Sequence, residues 1–363
     1  MVVDPGMAEV GKRQPPETGN RLVGRDQAGP YLVEERIQVL FVHLTILPGV
    51  TEQARIGPRI GFLGPRGTFH EAALRSQPDL ASAELVPFPT IQDVLAATEA
   101  GEVDAGFCAI ENAIEGTVNV TVDTLTQDVD LLMQREVVLD IRMALMAVPG
   151  TRLEDVHTVL SFPHALGQCR RYLRDQLPGA SVESSASTAE AARLVGEKRP
   201  PGVAAIGPSV AADLYDLEVV AIDIEDHPGN QTRFVAVARE GIPRRTGHDK
   251  TSVVVYQKAN QPGSLLTILQ EFAARSINLS KLESLPTKRG LGDYCFLIDL
   301  DGHIEDELVA DALRSLKSKQ ADVKFLGSYP AAGEEAHEAR AEAAESWREA
   351  DQWLEQLRQH IRR

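Results

Sequence analysis

Cysteine is scarce in this chain: Cys108, Cys169 and Cys295 stand far apart in 363 residues, with no C-x-x-C or Cys/His ligand spacing. That spacing offers no zinc-type ligand set, and an odd count without a secretory signal at Met1–Pro16 fits reduced thiols in the cytoplasm. Positive charge is also in deficit. Lys plus Arg total 37 against 53 Asp plus Glu, a formal net charge of -16, which argues against nucleic acid as a partner. Long apolar runs are missing too. The best one, Val39 to Leu47, ends at Pro48-Gly49 and is too short to span a bilayer, so no membrane partner is expected. No Rossmann fingerprint, Walker loop, metal-ligand cluster or Ser/His/Asp order stands out, so neither a metal nor a cofactor is expected. What remains is an ordinary globular composition, 43% apolar and 25% charged, long enough for two or three domains.

Residues 1–55 read as a poorly ordered leader. From Arg59 short apolar runs alternate with helical patterns, the mark of an α/β region. Strands are expected at Ile60–Leu63, Glu84–Phe88, Val103–Ile110, Val137–Val148, Val156–Leu160, Val182–Ser184, Gly202–Ile206 and Asn230–Val237. Helices are expected from His70, at Ile91–Ala100, beyond Thr117, at Pro163–Gln176, at Ser187–Gly196 and at Pro208–Tyr215. A Gly, Pro and Arg-rich linker, 240–249, precedes a compact second unit over 250–330 whose order, βαββαβ, is a split βαβ of the ferredoxin-like kind. The tail, 331–363, is charged and helical, and Trp347, Ala350, Leu354, Leu357 and Ile361 form a narrow seam suited to packing on another helix.

Four strand-to-helix or strand-entry segments gather polar residues. Gly64-Pro-Arg-Gly-Thr-Phe69 offers a tight turn and helix-start N–H groups to an anion, while Thr68 with Glu71 also reads as a capping box. Glu111-Asn112 and Thr121 follow a strand end, where ligands sit in open α/β sheets. Ser161 and Gln168 flank a helix start and would supply neutral donors to a carboxylate, with His164 between them. Asn230-Gln-Thr-Arg-Phe234 enters a strand.

Together these segments resemble the prephenate dehydratase family, whose catalytic part is coupled to a regulatory ACT domain. The family's G-P-x-G-T-F is Gly64–Phe69 here, and its I-E-N-S-x-x-G-x-V-x-x-T-x-D-x-L appears as Ile110 to Leu125 with Ala113 in place of serine. S-H-P-Q-A-L-x-Q-C appears as Ser161 to Cys169, with Phe162 for histidine and His164 for glutamine. N-x-T-R-F is Asn230 to Phe234. The ACT pattern N-x-P-G-A-L is Asn260 to Leu265, and E-S-R-P is Glu283-Ser284-Leu285-Pro286, with leucine at the arginine position.

The resemblance implies an α/β catalytic domain over 56–239, two-lobed and like a type II periplasmic binding protein, with the active site between lobes. Lobe one is placed at about 59–138 plus 229–238 and lobe two at 139–228. It implies the conversion of prephenate to phenylpyruvate, water and carbon dioxide, with L-phenylalanine as allosteric effector and a homodimer or homotetramer as the assembly. Thr232 is implied as the contact with the leaving hydroxyl, and Glu111 as an acid or an orienter of neighbouring donors. Thr68, Asn112, Thr121, Ser161, Gln168, Arg233 and Phe234 would surround the substrate, with a strand-end salt bridge the alternative for Arg233. Asn260, Pro262, Gly263, Ser264, Leu265, Leu266, Glu283 and Ser284 would surround the effector. Arogenate dehydration, prephenate decarboxylation without aromatisation, and a non-catalytic sensor are the competing readings.

Overall fold

The computed structural model describes residues 58–258, 261–288, 290, 293–320 and 322–332, with Trp353 and Gln356. The expectations for the leader, for Asn260 and for the tail seam lie outside the described residues.

In chain order, β1 (Arg59–Leu63) leads through α1 (Phe69–Arg75) and α2 (Pro78–Ala81) to β2 (Glu84–Phe88). Then come α3 (Ile91–Ala100), β3 (Ala105–Asn112), β4 (Gly116–Thr117), α4 (Asn119–Gln127) and β5 (Leu132–Asp140). The chain crosses to β6 (Ala144–Ala147), β7 (Thr158–Ser161), α5 (Pro163–Gln168), α6 (Arg170–Gln176), β8 (Ser181–Ser184), α7 (Thr188–Lys198), β9 (Val203–Gly207), α8 (Val210–Leu214) and β10 (Glu218–Ala221). It returns as β11 (Gln231–Ala238) and continues into β12 (Asp249–Tyr256), α9 (Ser264–Ala273), β13 (Leu279–Pro286), β14 (Tyr294–Asp301), α10 (Glu307–Lys319) and β15 (Asp322–Pro330).

Three sheets result, ordered β2-β1-β3-β11-β5 with β4 on β3, β10-β6-β9-β7-β8, and β13-β14-β12-β15. In the first, β3 is buried from Gly106 to Ile110, as a central strand covered on both faces must be. Phe107, Ala109, Phe234 and Ala236 pack under α1, while Cys108, Ile110, Val235 and Val237 face the other way, toward α3 and α4. The third sheet joins that second core through Val254, Leu285, Leu297, Leu326 and Tyr329, and its opposite face is covered by α9 and α10 through Ile268, Phe272, Ala312 and Leu316. Gly327 makes the approach possible. A Cβ at Gly327 would lie 2.4 Å from the Met133 carbonyl oxygen, so only glycine lets β15 lie against β5.

The structure differs from the periodicity reading in four places. The apolar stretch expected at Val137–Val148 is two strands, because the chain changes lobe between them, where the Ile141 N–H donates to the Asn230 carbonyl at 2.7 Å. The helix expected over Pro163–Gln176 breaks at Cys169. There the Asp226 N–H takes the Gln168 carbonyl (2.6 Å) and the Asp226 carboxylate accepts from the Arg171 N–H (3.0 Å), so a distant residue ends one helix and caps the next. The short strands β4 and β10 carry too little pattern to be seen in sequence.

His70, on α1, packs edge-on to Phe234 at 5.0 Å and accepts the Ala109 N–H through Nε2 at 3.2 Å. Burial pulls its pKa down to about 4 from 6.5. The folded state thus refuses a proton that the unfolded chain takes. No penalty exists above pH 6.5, and stability is lost as pH falls from there toward 4, by on the order of 3 kcal/mol. Urea titrations across that range are expected to show a shallower acid loss in His70→Gln, whose amide oxygen still accepts from Ala109; an unchanged slope would assign the loss elsewhere.

Candidate active site

The ends of β3 and β11 lie side by side, with Thr232 opposite Asn112 in the antiparallel ladder. Asn112 Nδ2 donates to Thr232 Oγ1 at 2.8 Å and to the Gln231 carbonyl at 3.2 Å. Asn112 Oδ1 accepts the N–H groups of Ile114 and Glu115 at 2.9 and 3.0 Å, which folds the loop after β3 into a tight turn. A hydroxyl that accepts from an amide has its own proton left to give. Thr232 is thus prepared as a donor, at a residue only 8% exposed.

The second lobe meets this loop. His164 Nε2 on α5 stands 2.8 Å from Glu115 Oε1, and the Gln168 side-chain amide lies 2.8 Å from the same nitrogen. A continuous chain of contacts therefore runs Thr232, Asn112, Glu115, His164, Gln168 from one lobe to the other. A second bridge is the Tyr215 hydroxyl, which donates to the Arg66 carbonyl at 2.8 Å. The His164–Glu115 pair is half-exposed, and such pairs contribute about 0.2–1 kcal/mol. Glu115→Gln is accordingly expected to raise KM about two- to fivefold with kcat little changed, since it loosens closure without touching Thr232. Steady-state kinetics at near-neutral pH decide this, and a kcat effect of similar size would place Glu115 in the chemistry instead.

Other residues expected to converge here do not. Glu111 and Arg233 pair with each other across the same ladder and, one residue from Asn112 and Thr232, point to the opposite face of the sheet. Glu111 Oε1 meets Lys281 Nζ at 3.0 Å, and Arg233 reaches Glu136 and Asp299 at 2.5 Å each, so the ion-pair alternative describes Arg233. Phe234 is 1% exposed, stacked at 5.2 Å on Phe107, and belongs to the core. Thr121 Oγ1 donates to the Ala109 carbonyl at 2.6 Å and Ser161 Oγ to the Ile206 carbonyl at 2.6 Å, and both residues are fully buried. Both hydroxyls tie elements together, and α5 is entered from Phe162 with no side-chain cap.

Thr68 Oγ1 donates to the Leu63 carbonyl and accepts the Glu71 N–H, the capping arrangement. The Gly67 N–H is taken by the Glu71 carboxylate at 2.6 Å, so the helix start holds its own anion. Burial pushes the Glu71 carboxyl up, but the Gly67 N–H with Arg75 and Arg66 outweighs that and leaves it below the ordinary carboxylate value.

The profile of the family described as prephenate dehydratase matches residues 60–242, and that of the ACT domain matches residues 251–318. A curated prephenate dehydratase of Mycolicibacterium vanbaalenii is 41% identical over 317 residues, spanning 83% of this chain and 99% of its own. The chain belongs to the prephenate dehydratase family. The solved prephenate dehydratase of Arthrobacter aurescens, in complex with L-Phe, is 40% identical with a TM-score of 0.74, covering 83% of this chain and 99% of that one. The solved quorum-quenching acylase GqqA is 26% identical with a TM-score of 0.67, covering 76% of this chain and 98% of its own. The catalytic fold is the two-lobed one of the family, like a type II periplasmic binding protein, with the ACT domain C-terminal to it.

Within the ACT domain of this prephenate dehydratase family member, a hollow of about 420 Å³ opens between the start of α9 and strands β13 and β14. Gly263, Ser264, Leu265, Leu266 and Ser284 line it, with Phe296. Gly263 sits at φ 89°, a left-handed turn that glycine adopts freely, and starts α9 without a side-chain cap. Pro262 is exposed beside the hollow and does not line it. Glu283 departs from the expectation. Its carboxylate accepts the Thr117 hydroxyl at 2.5 Å, on the face of β13 turned to the first lobe. Leu285, at the family's arginine position, is 4% exposed in the same interface, where an uncharged side chain suits the core it joins.

Glu115 and Tyr215 are not among the residues that the sequence singles out, and His164 stands there only inside a motif. A signal existed for one of them: an acid three residues beyond Asn112 lies in the turn that an Asx side chain closes.

Proposed function

We propose that the cleft between the lobes carries out the decarboxylating dehydration of prephenate, and that Thr232 donates to the departing hydroxyl. The observation that carries this is the Asn112–Thr232 contact, which leaves the threonine proton directed away from its neighbour. Loss of carbon dioxide supplies the electron pair that aromatises the ring as the 4-hydroxyl leaves; one proton is taken up and water is released. A threonine hydroxyl is a weak acid, so Thr232 acts as an oriented donor relaying a proton from solvent. Its fixed position stabilises charge developing on oxygen, where electrostatic preorganisation is strongest. Asn112 orients that donor, and His164 with Gln168 meets the turn after Asn112 from the other lobe, at Glu115. Closing the lobes removes water from between these groups and strengthens each contact.

The hollow beside α9 takes phenylalanine in this reading. Its apolar wall of Leu265, Leu269 and Phe296 suits a ring, Ser264 and Ser284 supply polar contacts, and the volume falls within the range of small-ligand sites. Assembly as a homodimer or homotetramer, a cytoplasmic setting and a preference for prephenate over arogenate belong to the same proposal. Among the described residues no helix is long and apolar enough to cross a membrane.

The test is direct. Purified chain mixed with prephenate is expected to form phenylpyruvate, read by its enolate absorbance in alkali, and to do so slowly or not at all with arogenate. A product that retains a non-aromatic ring would assign decarboxylation alone, and no product would favour a sensor. Calorimetry with phenylalanine is expected to show binding.

A further inference from the structure

The polar residues behind the cleft form two bridges from the ACT domain to the strands that carry Thr232 and Asn112. Arg233 Nη1 donates to Asp299 Oδ2 on β14 at 2.5 Å, and Nη2 donates to the Tyr329 hydroxyl on β15 at 2.8 Å. Tyr329 and Ser252 oxygens lie 2.6 Å apart, and Ser252 Oγ donates to Asp299 Oδ1 at 2.6 Å, which closes a ring of four groups. The second bridge is Lys281 on β13, whose Nζ meets Glu111 Oε1 at 3.0 Å and donates to Thr117 Oγ1 at 2.9 Å. The side chains of Arg233, Asp299 and Lys281 are at most 10% exposed, so these contacts act in a weakly screened interior.

Each bridge ends one residue from a cleft donor: Arg233 adjoins Thr232, and Glu111 adjoins Asn112. Backbone displacement at one residue of a strand is passed to the next, whose side chain faces the other way. Lys281 in turn lies three residues from Ser284, which lines the hollow of the ACT domain. We propose that Asp299 and Lys281 are positioning residues, acting through Arg233 and Glu111 to set the placement of Thr232 and Asn112. Occupancy of the hollow reaches the cleft along this path, by way of β13 and Lys281. The inference rests on the proposed assignment of cleft and hollow. A ligand changes a distant site only by favouring one of two arrangements, and the two bridges are the contacts whose making or breaking would distinguish them.

The full chain, Asp299→Asn and Lys281→Met are to be compared in prephenate kinetics, in phenylalanine calorimetry and in amide hydrogen exchange. Lys281→Met serves as the second variant should Asp299→Asn fold poorly. Both variants are expected to bind phenylalanine within about threefold of wild type, while the change in turnover at saturating phenylalanine falls to about a third or less. Basal kcat is expected to drop more than KM moves in Asp299→Asn, which a purely structural role would not separate. In the wild-type chain, phenylalanine is expected to alter exchange at the β3 and β11 amides, and in both variants that change should shrink. Variants that keep the full response overturn the proposal, as do variants that lose it only by ceasing to bind phenylalanine. A wild-type chain that binds no phenylalanine, or whose β3 and β11 amides ignore it, overturns it equally. Failure to turn over prephenate would defeat the reading of the cleft, and the exchange measurement would still decide the coupling.

Discussion

Thr232→Val is expected to lower kcat by about 10²- to 10³-fold, the usual cost of deleting one preorganised donor to a developing oxyanion. Valine keeps the β-branched shape that suits β11 and removes only the hydroxyl. Asn112 Nδ2 then loses one acceptor but retains the Gln231 carbonyl at 3.2 Å, so the loss of stability should stay near 1 kcal/mol. KM should change little, because the donor matters most as the hydroxyl leaves. Thr232→Ser, which restores the donor on a freer side chain, is expected to recover part of the activity. Steady-state kinetics with thermal melts check all of this, and a valine variant with near-normal kcat would remove Thr232 from the mechanism.

Arg233→Met is expected to destabilise the chain by about 3–5 kcal/mol, because it removes one partner from a buried ionic cluster and strands the others. Glu136 and Asp299 side chains are each 2% exposed, and Lys250 Nζ, paired with Glu136 at 2.8 Å, is left as a more distant cation for Asp299. The pH dependence identifies the cause. In the wild-type chain burial pushes the Asp299 carboxyl up, but Arg233, Ser252 and Lys250 more than offset this and hold it below the ordinary value of 3.8. That stabilisation is complete above the ordinary value and is lost as pH falls below it. Without the guanidinium, burial dominates and raises the pKa, so the folded variant binds a proton more readily than the unfolded one. Its penalty is then full at neutral pH and relieved on acidification. The gap in stability between the two proteins should therefore narrow as pH falls from neutral toward about 4, measured by urea denaturation. A gap that is constant with pH, or under about 1 kcal/mol at neutral pH, would mean that water replaces the lost partner.

Much of the catalytic half was legible because its chemistry is local. Glu111-Asn112 follows a buried apolar run, so a strand end with polar residues was readable, and Asn112 beside Thr232 is what the ladder makes of two such ends. Thr68 with Glu71 reads as a cap from spacing alone, and it is one. Thr121 and Ser161 tie elements together and Phe234 fills the core, although all three lie in the motifs. A motif records which residues a family keeps, and it does not distinguish a side chain that meets a ligand from one that joins two elements or packs beneath them. Glu111 and Arg233 lie on the face turned to the ACT domain because alternation along a strand sends neighbours to opposite faces, and the sequence does not say which face meets the cleft.

The amino-acid order alone determined the class of fold, the βαββαβ unit, the absence of a metal-ligand spacing and the motifs by which the family is known. These depend on periodicity and on contacts a few residues apart. Tertiary structure decided the rest: the helix break at Cys169 imposed by Asp226, the meeting of His164 with Glu115, and the docking of the ACT sheet through Gly327 and Arg233. Each joins segments from about fifty to more than a hundred residues apart in sequence, or needs two backbones to touch. Hydrophobic pattern says that a face is covered, but which element covers it is settled only when whole surfaces fit.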